Sequence, residues 1–300
     1  MTVGDGVRLI GESDKLVSIL AETQGRLLAA GVEAAQQEAL WLIEHALGLS
    51  ALQQVTDSNR SLSTAEAEKA RELLTRRVAR EPLQYILGTQ EFCGLEFEVD
   101  PSVLIPRPET ELLVQETIRR LPHGKEPILI DVGTGSGCLA VTLARSLPGA
   151  CIIAVDLSSR ALETARRNAR RYGVESLITW LQGDLLAPVA KRGLRGCVMT
   201  IVSNPPYIQE SEWATLQPEV RLYEPRSALV AGPRGTEIQE RILDEAIPFL
   251  IPGGLLVLEL GQGQSATLRQ KIAAMAAYDS VITVPDDAGI DRVLIATRAG

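Results

Sequence analysis

The sequence predicts an α/β domain on a mostly parallel sheet, preceded by a small α-helical bundle. Three observations carry this. Residues 12–85 place apolar side chains at helical spacing and show no alternating pattern. From Ile128 onward, short apolar runs alternate with helical stretches, as in a parallel sheet covered on both faces. The last two runs are joined only by Pro285-Asp286-Asp287-Ala288-Gly289, too short for a crossover, so they form an antiparallel pair. The expected organisation is a bundle over 1–85, a hairpin with a connecting helix over 86–122, and the α/β domain over 123–300.

Within the bundle, Leu16, Ile19, Leu20, Leu27 and Leu28 mark a first helix, and Leu40, Ile43 and Leu47 mark a second after Gly31 breaks the chain. A third opens at Ser63, which with Glu66 makes a capping box, and turns Ala67, Ala70, Leu73, Leu74 and Val78 inward. Glu81-Pro82 is expected to end it. Glu91 to Asp100 alternates around Gly94 like a short hairpin, with Phe92, Leu95, Phe97 and Val99. Ile105-Pro106-Arg107-Pro108-Glu109-Thr110-Glu111 is a stiff turn running into a helix whose positive end suits Glu109 and Glu111. Leu121 to Pro127, containing His123, reads as an internal loop.

Seven strands are expected in the α/β part: 128–132, 151–155, 177–181, 198–203, 255–260, 281–284 and 292–297, with helices over 137–147 and 158–172.

At 300 residues, 45% hydrophobic and 23% charged, the chain has the composition of a soluble globular protein of two domains. No apolar stretch spans a bilayer and Met1 to Ile10 lacks a signal core, so a cytoplasmic protein without a membrane is expected. Cys93, Cys138, Cys151 and Cys197 are widely spaced, so neither a disulfide framework nor a metal site is indicated, and they read as small buried hydrophobes. His45 and His123 are the only histidines, so a reaction needing no strong base is expected. The net charge of −8 (30 − 38) argues against broad binding to a phosphate backbone. Two basic clusters, Lys69 to Arg80 and Arg160 to Arg171, are explained more simply as solvated helix faces.

The chemistry concentrates at the ends of strands. Asn204-Pro205-Pro206-Tyr207 follows the apolar run 198–202, where an open sheet binds its ligands. The prolines stiffen the backbone and lack N–H donors, Asn204 supplies an acceptor and Tyr207 a flat face, which together suit a planar NH2 group. A structural Pro-Pro turn with a packed tyrosine is the plainer alternative. Upstream, Asp131-Val132-Gly133-Thr134-Gly135-Ser136-Gly137 lets a ligand approach the backbone at a helix start. It is not the dinucleotide fingerprint, whose third glycine falls where this chain has Cys138. Asp156 ends the next strand, placed to accept ribose hydroxyls. The three features jointly point to S-adenosylmethionine.

With these residues, and with Gln84-Tyr85-Ile86-Leu87-Gly88, Glu91 to Leu95, Ile105 to Glu111, Glu224-Pro225 and Asp291-Arg292-Val293, the chain resembles the peptide chain release factor glutamine methyltransferases. This is the HemK/PrmC family of S-adenosylmethionine-dependent enzymes. The resemblance implies a Rossmann-like class I methyltransferase domain with a seven-stranded sheet. It also implies that Gly133, Thr134, Gly135, Ser136 and Gly137 wrap the methionine end of the cofactor, Asp156 holds its ribose, and Asp184 and Leu185 border the adenine. The family often has an aromatic residue where Leu185 stands. Asn204 and the Pro205 carbonyl would take the two amide hydrogens of the GGQ-motif glutamine, with Pro206 in the same wall and Tyr207 packed on the amide plane. The products would be N5-methylglutamine and S-adenosylhomocysteine. The partner implied is a release factor, the enzyme is expected to be a monomer, and the bundle is expected to recognise the substrate. A ribosomal-protein glutamine and an adenine amino group in nucleic acid are the rival acceptors.

Overall fold

The structure, a computed structural model, describes residues 14–121 and 126–300. Residues 1–10 and most of the expected 121–127 loop, His123 included, lie outside the described residues. The chain divides into two compact units at Leu87/Gly88.

The first unit contains helices α1 (Leu16–Ala29), α2 (Ala35–Leu47), α3 (Ala51–Thr56), α4 (Thr64–Val78) and α5 (Leu83–Leu87). Leu16, Ile19, Leu27, Ala39, Leu42, Ile43, Ala70 and Leu74 form its core. The expected capping box is present, with Glu66 N donating to Ser63 Oγ at 3.3 Å and Ser63 N to Glu66 Oε2 at 2.8 Å. A second capping box, Ser50 with Gln53, opens α3, which the sequence reading did not assign. Leu28 is exposed, while α2 buries Ala39, Leu42, Ile43 and Ala46 and packs Leu47, partly buried, against the same core. Helix α4 stops at Val78 and not at Glu81-Pro82, since Arg80 turns left-handed (φ 68°) and Pro82 instead leads into α5. The unit boundary therefore falls two residues past the expected 85. Three arginines of the basic cluster pair internally: Arg71 with Asp14, Arg76 with Glu81 and Arg77 with Glu38, at 2.9, 2.6 and 2.6 Å.

The second unit opens with a hairpin of β1 (Thr89–Phe92) and β2 (Leu95–Glu98), followed by α6 (Glu111–Arg120). The expected 86–122 connector is no separate piece, because Phe92, Phe97, Leu113 and Val114 share one core with Leu129 of the sheet and Leu143 of a helix that covers it. Then come β3 (Ile128–Val132), α7 (Cys138–Ser146), β4 (Cys151–Asp156), α8 (Ser159–Arg171), β5 (Ile178–Gln182) and β6 (Val198–Ser203). The chain continues through β7 (Ile208–Gln209), α9 (Pro218–Tyr223), β8 (Val230–Gly232), α10 (Glu237–Ala246), β9 (Leu250–Glu259), α11 (Ser265–Ala273), β10 (Tyr278–Pro285) and β11 (Asp291–Arg298). The seven-stranded sheet has the order β10-β11-β9-β6-β3-β4-β5, and β11 alone runs against the others. Alternate strand residues feed opposite cores: Leu129, Ile152 and Val202 one, Ile130, Ile153 and Ile201 the other.

Strand β9 starts earlier than expected because Leu250 pairs with Val198 before residues 251–254 bulge out of register. Helices α9, α10 and α11 and the parallel pair β7/β8 add to the elements read from the sequence. The cysteine expectation holds for Cys138 only. Cys93 is half-buried, while Cys151 and Cys197, at the outer starts of β4 and β6, are exposed. Two arginines of α8 tie it to the hairpin and the residues just after it, with Arg167 on Glu98 and Asp100 at 2.9 and 3.0 Å and Arg171 on Glu96.

Candidate active site

Strand order reverses at β3, whose neighbours are β4 on one side and β6 on the other, and the two segments that leave β3 and β6 carry the candidate residues. After β3, the N–H groups of Gly133 and Thr134 both donate to the Val155 carbonyl, at 2.8 and 3.0 Å. Gly133, Gly135 and Gly137 are all left-handed, with φ of 75°, 55° and 81°. Their spaces differ. A Cβ on Gly133 would meet nothing within 4 Å and one on Gly135 nothing nearer than 4.0 Å, whereas one on Gly137 would sit 2.9 Å from the Ala165 Cβ. The first two leave room for a ligand; the third lets α7 pack on α8.

Beneath the turn, Asp131 Oδ2 accepts from the Thr134 hydroxyl at 2.6 Å and from Ala140 N at 3.1 Å, while Oδ1 is buried without a protein partner. Burial pushes this carboxyl up to about 7. Asp156 accepts from Gly135 N at 2.9 Å and Ser158 N at 2.8 Å, one on each oxygen. Burial outweighs these bonds and raises its pKa. Each oxygen keeps a lone pair for a hydroxyl.

A cavity of about 230 Å³ is walled by Gly133, Gly135, Asp156, Leu185 and Asn204, with Asp184 and Pro206 also on its lining. Thr134, Ser136 and Gly137 are not on it: Thr134 holds Asp131, the Ser136 carbonyl holds Asn168 at 2.9 Å, and Gly137 serves helix packing. Asp184 is exposed and its carboxylate is gripped by Arg241 at 2.7 Å, so it reaches the cavity already paired. A larger hollow of about 430 Å³ near Met199, Gly253 and Ile295 contains none of these residues, and Arg120 is its one ionisable wall group among the described residues.

On the β6 side, Ser203 Oγ donates to the Val132 carbonyl at 2.6 Å and pins the two strand ends together. Asn204 Nδ2 donates to Thr110 Oγ1 at 3.0 Å, and Thr110 donates to Glu259 Oε2 at 2.7 Å. Asn204 Oδ1 is buried and meets no protein donor. Pro205 is buried beside it. The Tyr207 carbonyl accepts from Gln264 Nε2 at 2.8 Å, and the amides of Tyr207 and Ile208 donate to Leu229 O at 3.2 and 2.9 Å. Burial, with the neighbouring Glu259, pushes the Tyr207 phenol up, so at neutral pH it is a packing surface and not a base. Burial likewise drives the Cys93 and Cys138 thiols up to about 12, which leaves them poor nucleophiles.

Four supporting residues escaped the sequence reading as site residues. Thr110 and Glu259 support Asn204, Gln264 supports Tyr207, and buried Glu224 accepts from Ile105 N at 3.1 Å and from Arg107, tying the proline-rich turn to the wall of the cavity. Glu259 was legible as an acid at the end of an apolar run, the position that singled out Asp156; nothing in the sequence marked Gln264.

A seven-stranded sheet with one reversed strand, an open glycine turn after β3 and an acid closing β4 define a Rossmann-like methyltransferase domain. In agreement, residues 108–220 match the methyltransferase small domain, and residues 18–88 match the PrmC N-terminal domain. The chain is 45% identical to a release factor glutamine methyltransferase of Geobacter sulfurreducens over 92% of its length and 94% of the relative's. It is 41% identical to one of Chlorobaculum tepidum, over 93% and 96% of the two chains. The chain belongs to the release factor glutamine methyltransferase family. Among solved structures, the hMettl16 catalytic domain in complex with a MAT2A 3'UTR hairpin shares the fold, with a TM-score of 0.54 at 17% identity over 81% of this chain and 86% of that one.

Proposed function

We infer that this protein transfers a methyl group from S-adenosylmethionine to the side-chain amide nitrogen of a glutamine in peptide chain release factors. The observation that carries the reading is Asn204, whose buried Oδ1 has no protein partner, on the wall of a cavity that an open glycine turn also lines. The residues present fit the cofactor. Gly133 and Gly135 leave space where its methionine end would lie, Asp156 has lone pairs for the ribose hydroxyls, and Leu185 offers an apolar surface for the adenine.

When bound, S-adenosylmethionine supplies a methyl group already activated on a sulfonium. The task of the protein is then orientation, because an amide nitrogen lone pair is delocalised and a poor nucleophile unless held in line. Asn204 Oδ1 and the Pro205 carbonyl each accept one N–H of the glutamine, and Tyr207 packs against the amide plane. The methyl replaces one amide hydrogen, which leaves as a proton.

The bundle supplies recognition away from the reacting amide, which a residue as common as glutamine requires. Five of the nine large apolar side chains that stand exposed among the described residues lie in it: Val17, Leu28, Trp41, Leu52 and Val55. Several of the basic side chains that could have served nucleic acid, Arg71, Arg76, Arg77, Arg167 and Arg171 among them, are paired within the chain, and the net charge is −8. A monomer working in the cytoplasm fits this reading; no helix among the described residues is long and apolar enough to cross a membrane.

The test is incubation with methyl-labelled S-adenosylmethionine and purified release factor, followed by mass-spectrometric mapping. The label is expected on one glutamine side-chain nitrogen. Label on a ribosomal protein or on RNA, with none on the factor, would overturn the substrate assignment.

A further inference from the structure

Thr110 stands between the Asn204 amide and the Glu259 carboxyl, and Thr110 and Glu259 are each only 2% exposed. A hydroxyl has one proton to give and lone pairs with which to receive. The Thr110 proton goes to Glu259 at 2.7 Å, so toward Asn204 the hydroxyl can only accept. The atom of Asn204 that meets it at 3.0 Å must then be the amide nitrogen, and Oδ1 is turned away to where no protein donor reaches it. The direction of this relay is set at its far end. An ionised Glu259 can only accept. A protonated Glu259 can donate to Thr110, whose own proton is then free for Asn204; that favours the amide turned over, with its NH2 facing the acceptor position. A donor there opposes the N–H groups of a glutamine amide.

We propose that Thr110 and Glu259 are positioning residues that hold the Asn204 oxygen toward the substrate, and that they do so only while Glu259 is ionised. The proposal rests on the reading of Asn204 as the acceptor for the glutamine amide. The groups facing Glu259 come from three places: Glu109 and Thr110 in the turn before α6, Tyr207 in the loop after β6, and Arg292 on β11. Burial acts most strongly and Glu109 adds to it, while Thr110, Arg292 and Tyr207 oppose; together they leave this carboxyl at about 7. Reversal of the relay therefore falls within the pH range of ordinary assays.

The experiment measures single-turnover rates of the full-length enzyme with saturating S-adenosylmethionine and release factor between about pH 5.5 and 8, the range that brackets the carboxyl. The wild-type rate should fall by about tenfold per pH unit below the pKa of Glu259 and level off above it. Asp131 titrates in the same range, so Glu259→Gln assigns the limb: its profile should be flat, and its rate at high pH lower by on the order of tenfold. Thr110→Val should slow the reaction by on the order of tenfold or more with cofactor affinity within about twofold, and Thr110→Ser should restore most of the rate. A flat wild-type profile, an acid limb that persists in Glu259→Gln, or a Thr110→Ser variant as slow as Thr110→Val would each overturn the proposal. If Thr110→Val does not fold, the wild-type, Glu259→Gln and Thr110→Ser profiles still decide. Asn204→Ala run in parallel separates the two levels: if it is slow while Thr110→Val is fast, only the positioning role falls, and if Asn204→Ala keeps the wild-type rate, the reading of the site falls with it.

Discussion

The turn after β3 and the loop after β6 leave neighbouring strands of one sheet, yet they are built in opposite ways. The turn makes its site by omission: Gly133 and Gly135 have no side chains and nothing stands where one would be. The loop makes its site by restraint. Two prolines, the Gln264 clamp on the Tyr207 carbonyl and the relay through Thr110 to Glu259 hold its polar groups in one arrangement. On the proposed function the difference follows two tasks, since a cofactor needs room and a weak nucleophile needs fixed geometry. On the turn side the Asp156 oxygens are both partly satisfied, whereas the loop leaves the Asn204 oxygen bare.

The sharpest way to break this contrast is Asn204→Ala. Turnover should fall by on the order of a hundredfold while cofactor affinity changes little, because the missing acceptor works mainly in the transition state. Single-turnover rates within a few-fold of wild type would leave the loop a merely structural element. On the turn side, Asp156→Ala should weaken cofactor binding by about 1.5–3 kcal/mol, the loss expected for bonds to a charged acceptor, as read by titration calorimetry.

The glycines allow a comparison inside the turn itself. Gly133→Ala should lose about 1–2 kcal/mol of stability to its left-handed backbone and should in addition weaken cofactor binding, since its Cβ enters the space left for the ligand. Gly137→Ala should mainly unfold the unit, losing about 1–2 kcal/mol to its left-handed backbone and a further ~1–3 kcal/mol to the Ala165 contact. Denaturant melts and calorimetry on both variants would expose a wrong assignment if the two behaved alike.

A smaller effect is expected from the bundle. Leu52→Glu with Val55→Glu should lower kcat/KM on intact release factor by about tenfold, because remote binding energy is lost, and should leave a short glutamine peptide unaffected. Equal losses on both substrates would mean that the bundle braces the fold.

Asp131 and Glu259 have folded pKa values near 7, above their unfolded values, so between roughly pH 4.5 and 7 the folded state holds protons that the unfolded state has released. Their stabilising contribution is complete below that window and is lost as pH rises through about 7, with a slope of at most about 1.4 kcal/mol per pH unit for each group. Asp286, held below the ordinary range by the Ile290 amide and Arg292, acts in the opposite sense only at lower pH. Thermal melts from about pH 5 to 8 should show a shallower decline in Glu259→Gln than in wild type.

The strand boundaries of β3, β4 and β6, the Ser63 cap and the placement of Gly133, Asp156 and Asn204 at strand ends were legible in the chain. They arise from local causes: apolar runs, a capping side chain, glycines where the backbone must turn left. The short α3 and α5, the α4 terminus and the exposed Cys151 and Cys197 were not legible, since they depend on what packs against them.

By itself, then, the sequence determined the leading helical bundle, the parallel sheet with its closing hairpin, and which polar residues and glycines stand at the strand ends, because periodicity and backbone permissiveness are written residue by residue. Only the tertiary structure decided how those residues are used. It divided the three glycines between open space and helix packing, gave the Asp184 carboxylate to Arg241, and set Thr110 and Glu259, 149 positions apart in the chain, within 2.7 Å of each other behind Asn204. The physical reason is that a hydrogen bond or a steric contact depends on distance in space, and distance in space between remote residues exists only once the sheet has aligned its strand ends.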